Sequence, residues 1–183
     1  QWGLSEAHLV IGIVARLDPA KGYETFLQAG ALLAKRHPSV RFVCVGDGSA
    51  RYREKLRTLA EDLGIADSVI WAGSRDDVPD VCSAFDVVCS ASYTEGFSNA
   101  IGEAMSCERP CVVTDAGDSA WILGEPDRVV PPRDASALAA ACERVIAAGT
   151  QARTAMGVSG RARIVEHASV EALVARTRAL LES

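Results

Sequence analysis

The sequence predicts a doubly wound α/β domain: one parallel sheet of about six strands with helices on both faces. Three observations carry that prediction. Short apolar runs alternate with longer amphipathic patterns along most of the 183 residues. The runs are apolar at consecutive positions, as in strands covered on both sides. The connections are short and marked by Gly and Pro.

Leu9–Val14 (LVIGIV) reads as the first strand. A helix follows, with Tyr23, Phe26, Leu27, Gly30, Leu33 and Ala34 on one stripe at i, i+3, i+4, i+7, i+10 and i+11. Val40–Val45 (VRFVCV) is the second strand, and Tyr52, Leu56, Leu59 and Leu63 form the stripe of the second helix. Val69–Ala72, Asp86–Cys89 and Cys111–Thr114 supply three more strands, and Arg128–Val130 a short sixth. Asp134 or Ser136 caps a later helix whose stripe is Leu138, Ala141, Cys142, Val145 and Ile146. From Thr150 onward the pattern is helical without strands. Its last segment, Ser169–Leu181, carries Val170, Leu173, Val174 and Leu181 near one face, with no strand left for it to cover.

Bulk properties narrow the function classes. The length suits one core and not two. A formal charge of −5 argues against a nucleic-acid partner, which needs a basic surface. No apolar run approaches the roughly 20 residues that span a bilayer, so no transmembrane segment is expected. Six cysteines are present without any C-x-x-C pair, and Cys44, Cys89, Cys111 and Cys142 fall at apolar positions. Free buried thiols fit that placement better than disulfides or zinc. The chain starts at Gln1, and its only methionines are Met105 and Met156. Met removal, a tag scar and excision from a longer protein all account for that start.

In a doubly wound sheet, ligands gather at the carboxyl ends of the strands. After the first strand, "ARLDPAKG" (15–22) places Arg16 and Lys21 around a proline turn. A lysine at a helix start opposes the helix dipole. Either an anion sits there or Lys21 points to solvent. After the second strand, "GDGSA" (46–50) has the first two glycines of a dinucleotide fingerprint, but Arg51 stands where the third would fall. A tight turn accounts for these glycines. After the fourth strand comes "SASYTEGFSNAIGEAMS" (90–106), with Ser98 as a helix N-cap and Gly96 letting the backbone approach a ligand. The amides of Gly96, Phe97, Ser98 and Asn99 would then form an anion site at a helix start. Glu95 and Glu103 bracket this stretch. Taken singly, each is an ordinary surface carboxylate. Taken with Arg16 and Lys21 at one sheet edge, they suit a ligand with a diphosphate and many hydroxyls, which is a nucleotide sugar.

These blocks resemble the C-terminal domain of the retaining glycosyltransferases of family four, which have a two-domain GT-B fold. "ARLDPAKG", "VGDGS", "FDVVCSASYTEGFSNAIGEAMS", "PCVVTDAGDSA" and "VVPPRD" run in family order over roughly residues 9–148. The E-x7-E pattern with its surroundings is the specific part. The resemblance implies a Rossmann-like half of a GT-B fold. It makes residues 1–168 the nucleotide-sugar-binding domain and residues 169–183 a helix that contacts a missing N-terminal domain, and so frayed or misdocked here. It implies that Arg16 and Lys21 bind the donor diphosphate and that Glu95 lies beside the transferred sugar. Glu103 would hold the ribose, residues 96–99 would touch sugar and phosphate, and Ser74 and Arg75 would read the base.

Four positions depart from the pattern. Glu108 and Asp127 stand where similar proteins commonly carry glycine, Ala15 where glycine is frequent, and Gly102 where a bulky aliphatic is usual. These put loop geometry in question rather than chemistry.

The implied reaction transfers a sugar from a UDP- or GDP-linked donor to an acceptor sugar, lipid or polysaccharide. No cofactor is expected. Without a D-x-D pair, Arg16, Lys21 and the helix dipole would stabilise the leaving diphosphate in place of a metal. The implied location is cytoplasmic, with the full-length enzyme peripheral at the inner face of the cell membrane. A GT-B sugar-nucleotide epimerase and a non-catalytic nucleotide-binding module are the competing readings.

Overall fold

The protein is described from a computed structural model covering residues 2–182. Six strands form one parallel sheet: β1 (Leu9–Val14), β2 (Val40–Val45), β3 (Val69–Gly73), β4 (Val87–Ser90), β5 (Cys111–Thr114) and β6 (Val129–Val130). Their order is β3-β2-β1-β4-β5-β6, and every pairing is parallel. The helices are α1 (Tyr23–Ala34), α2 (Ala50–Asp62), α3 (Val78–Ser83), α4 (Asn99–Ser106), α5 (Ser119–Leu123), α6 (Ala135–Ala147), α7 (Gly149–Ala168) and α8 (Val170–Leu181). The predicted Rossmann-like fold class is the one observed.

Alternation along the strands divides the interior into two cores. Ile11, Ile13, Val40, Phe42, Cys44, Val87, Cys89 and Val112 pack with α1, α2 and α6. Val10, Val43, Val45, Val88, Cys111 and Val113 pack with α3, α4 and α5. This two-sided burial is why the strands read as continuous apolar runs. Gly12 in β1 is pressed so closely against Phe85 that a Cβ would lie 2.2 Å from its ring. All six cysteines are free. Burial raises the Cys44 and Cys111 thiols, that of Cys111 to about 12, while the Cys89 thiol is raised first by its hydrogen bond with Cys142, 3.3 Å away, and then by burial.

The structure shifts some expected boundaries. The sixth strand starts at Val129, because Arg128 ends a 3-10 turn (Pro126–Arg128) and is buried. Its guanidinium lies 3.4 Å from the Cys111 carbonyl at this edge of the sheet. Helices α3 and α5 lie between predicted strands. At six and five residues, neither is long enough to display a helical period. Asp134 caps α6 by accepting from the Ala137 amide.

Helix α7 crosses from α6 to α4 and ties both faces together. Arg153 on α7 donates to Asp86 Oδ1 at 3.2 Å, while Asp86 Oδ2 accepts from the Val10 amide at 2.9 Å. Near its middle, Gly157 meets the Glu108 loop, where a Cβ would lie 1.9 Å from the Glu108 carbonyl oxygen. Glu108 itself is left-handed, φ 57°, which explains why glycine suits that position. Asp127, by contrast, sits in the 3-10 turn and shows no positive φ. Helix α8 is formed from Val170 through Leu181 and meets α7, but none of its side chains is buried. Among the described residues, no helix is long and apolar enough to cross a membrane.

Two glycines on this face should respond oppositely to alanine. Gly102 lies mid-α4, and a Cβ there would meet nothing nearer than 3.9 Å. Gly102→Ala is expected to raise unfolding stability by about 1 kcal/mol in urea titration. Gly157→Ala should lower it by about 1–3 kcal/mol, since backbone must move.

Candidate donor-binding site

The winding of the sheet leaves one crevice. From β1 the chain proceeds outward through β2 to β3, and from β4 it proceeds the other way to β5 and β6. The loops after β1 and β4 therefore diverge at their carboxyl ends. A pocket of about 210 Å³ opens there, and Arg16, Lys21, Glu95, Phe97, Ser98 and Asn99 all line it.

Each wall is anchored from beneath. The buried Tyr23 hydroxyl donates to the Ala15 carbonyl at 2.6 Å, which fixes the end of β1. Burial drives the Tyr23 phenol far above its ordinary range, so it remains a donor. Asp18 caps the turn that carries Lys21 by accepting from the Ala20 amide. The two loops meet where the Tyr93 amide donates to the Ala20 carbonyl at 2.7 Å.

Lys21 and Glu95 meet inside the pocket. Lys21 Nζ donates to Glu95 Oε1 at 2.6 Å, with the lysine side chain 24% exposed and the carboxylate 11%. Lys21 therefore does not point to solvent, and its partner at that helix start is the Glu95 carboxylate. Ser92 Oγ donates to the same carboxylate oxygen at 2.8 Å. Behind it, the fully buried Thr114 hydroxyl donates to the Ser92 carbonyl at 2.6 Å. Thr114 and Ser92 therefore hold Glu95 in place. Neither residue was singled out from sequence, because their roles arise only when β5 lies beside β4. Arg16 lines the pocket, is mostly exposed and contacts Asp18 at 3.5 Å.

The start of α4 forms the remaining wall. Ser98 takes the N-cap position, as expected, but its side chain makes no capping bond. The amides of Gly96, Phe97, Ser98 and Asn99 donate to no acceptor among the described residues. Four unpaired amides at a helix start attract anions through partial positive charge. The close backbone approach occurs opposite Gly96, at Gly117, where a Cβ would lie 2.3 Å from the Glu95 carbonyl oxygen. Asp118 then donates its amide to the Gly96 carbonyl. The space at Gly96 itself is open.

The other predicted site residues lie apart from this lining. Glu103 is exposed on α4, near Cys82 and Cys107. Burial raises the Cys82 thiol to about 12, with the charges of Cys107 and Glu103 adding to the effect. Ser74 follows β3 outside the pocket wall. Arg75 is paired with Asp77 through Nε and one terminal nitrogen, and borders a separate depression with Trp2, Leu4 and Asp80. Among the described residues, no three His, Cys, Asp or Glu side chains gather closely enough to hold a metal ion.

Comparison with known proteins adds independent findings. Residues 8–148 match the family described as "Glycosyl transferases group 1". The chain is 32% identical over 95% of its length to the lipopolysaccharide core biosynthesis glycosyltransferase LpsE of Rhizobium meliloti, and covers 50% of it. It superposes on Anabaena Alr3699/HepE, solved in complex with UDP-glucose, with a TM-score of 0.85 and 28% identity. That match covers 96% of this chain and 49% of the other. The C-terminal domain of a glycosyl transferase group 1 family protein from Francisella tularensis shares the fold, with a TM-score of 0.77 and 21% identity over 88% and 87% of the two chains. The chain thus spans about half the length of the curated relatives it matches.

The hydroxyl relay behind Glu95 can be tested without a ligand. Thr114→Val leaves the Ser92 carbonyl without its donor inside the core. Urea titration should show a loss of about 1–3 kcal/mol.

Proposed function

The chain belongs to the glycosyl transferases of group 1, and from that membership we propose that it is the donor-binding half of a retaining, metal-independent glycosyltransferase. The donor is a nucleoside diphosphate sugar, UDP- or GDP-linked. The observation that carries this reading is the meeting of Arg16, Lys21, Glu95 and four unpaired amides at the β1/β4 crevice. The UDP-glucose complex of the structurally similar Anabaena protein supports it.

In this proposal the diphosphate lies across the start of α4, with Arg16 on its open side. As the glycosyl–phosphate bond breaks, negative charge grows on the leaving oxygen. Arg16, Lys21 and the amides of residues 96–99 stabilise that charge without reorganising. Glu95, held by Ser92 and Lys21, accepts from sugar hydroxyls and orients the ring. Glu103, exposed on α4 outside the pocket lining, would take the ribose hydroxyls of a donor that extends beyond the pocket. The base falls to Ser74 and Arg75 beyond β3, which requires Arg75 to release Asp77 when the donor enters.

A pocket of about 210 Å³ is smaller than the roughly 300–1,000 Å³ that encloses a small molecule. The chain also covers only half of its relatives. Both fit a site completed by a second domain, which would carry the acceptor sugar, lipid or polysaccharide. The apolar residues Val170, Leu173 and Val174, exposed on α8, would face that domain.

The test uses the full-length protein and nucleotide release from UDP-glucose and GDP-mannose. Arg16→Ala or Lys21→Ala should slow release about ten- to a hundredfold, the rate equivalent of a lost charge-assisted hydrogen bond. Glu95→Ala should abolish it. In the fragment, UDP at 100 times its Kd should add about 2.7 kcal/mol of stability by thermal shift. No stabilisation by UDP or GDP, or unchanged release in Lys21→Ala, would overturn the reading.

A further inference from the structure

A second depression lies across the Ala20–Tyr93 contact from Glu95. Its volume is about 480 Å³, and its walls are Pro19, Ala20, Glu24, Tyr93, Thr94 and Arg133. Arg133 dominates it. The guanidinium carbon sits 3.8 Å from the centre of the Tyr93 ring. A guanidinium over a ring keeps its N–H groups available to other partners, and among the described residues no hydrogen bond uses those of Arg133. Among the described residues, no carboxylate pairs with Arg133.

The surroundings account for that freedom. Asp134, next in sequence, uses Oδ1 to cap α6. Glu24, the carboxylate in the wall, is engaged at both oxygens, by Tyr52 at 2.7 Å and by Lys55 at 2.9 Å. Its charge is therefore balanced within the fold. Tyr93 is held by its amide to Ala20 and by its hydroxyl, 3.0 Å from Thr25 Oγ1. Arg133 adopts φ 65°, a left-handed conformation uncommon outside glycine. A strained backbone, a fixed aromatic platform and an unpaired cation meet at one concavity beside the Ser92–Glu95 segment.

We propose that this depression is an oxyanion subsite, taking a phosphate group on the open edge of Arg133 with Thr94 beside it. A stacked guanidinium presents its donors in one plane, which matches two phosphate oxygens at once. The subsite shares the 92–95 segment with the candidate donor pocket, so its occupant reaches the loop that holds Glu95. The proposal stands on the geometry around Tyr93 and does not require the donor reading.

Arg133→Gly is the informative variant, because glycine accepts the left-handed conformation while the cation is removed. Amide NMR of the labelled chain, titrated with inorganic phosphate, should show saturable shifts at Tyr93, Thr94 and Asp134. Arg133→Gly should weaken that response at least tenfold, and Arg133→Lys should restore it only in part. The shifts should persist in Arg16→Ala/Lys21→Ala, where any phosphate in the donor pocket is lost. The response of Arg133→Gly to UDP should match that of the unmodified chain, which separates this test from the donor reading. Co-sedimentation with phosphatidic acid vesicles, lost in Arg133→Gly, would assign the phosphate to a membrane headgroup. A response to inorganic phosphate alone would assign it to a soluble ligand. Shifts confined to residues 15–22 and 96–99, or equal affinity in Arg133→Gly, would overturn the proposal.

Discussion

The direction in which the chain winds from β1 and from β4 is the constraint on which the rest depends. Two adjacent parallel strands send their connections to opposite sides of the sheet, so no loop can fill the gap above them. A basic turn from one half of the fold and an acidic turn from the other are forced to face each other. The contact of Lys21 with Glu95, 74 residues apart, follows from that arrangement. Inverting either connection would send both loops to the same side of the sheet and close the gap between them.

Around this gap the fold spends its buried polar groups. Tyr23, Ser92 and Thr114 sit among apolar side chains, and each directs its hydroxyl at a group of the crevice wall. A buried hydroxyl without a partner is costly, so these groups stay where their acceptors are. The carboxylate at the centre is positioned by the core beneath it and lines the open pocket above. The amides at the start of α4 are left unpaired at the same place, a cost that a bound anion would relieve.

Much of this was legible in the sequence, and the limits have physical reasons. Continuous apolar strands gave the sheet, and the stripes of α1, α2 and α6 gave three of its helices. Helices α3 and α5 were missed because so few residues show no period. The basic and acidic loops could be named from their spacing. Their partners Ser92 and Thr114 could not, because side-chain bonds between neighbouring strands depend on register. Gly102 and Glu108 illustrate two kinds of departure. Gly102 fills no structural need, whereas Glu108 holds a left-handed turn that usually falls to glycine. Gly117 was passed over in favour of Gly96, since sequence alone does not reveal which glycine faces another backbone.

The two-residue β6 and the guanidinium of Arg128 have a consequence for behaviour in concentrated solution. A sheet margin with unpaired carbonyls is a template on which another polypeptide can add a strand. Here the margin is shortened to Val129–Val130, and the first carbonyl beyond it, that of Cys111, has a side-chain donor beside it within the same molecule. A side chain that already occupies that carbonyl leaves an incoming backbone little to register against. Strand addition at the β6 margin is therefore disfavoured, which leaves β3, at the other end of the sheet, as the longer of the two margins.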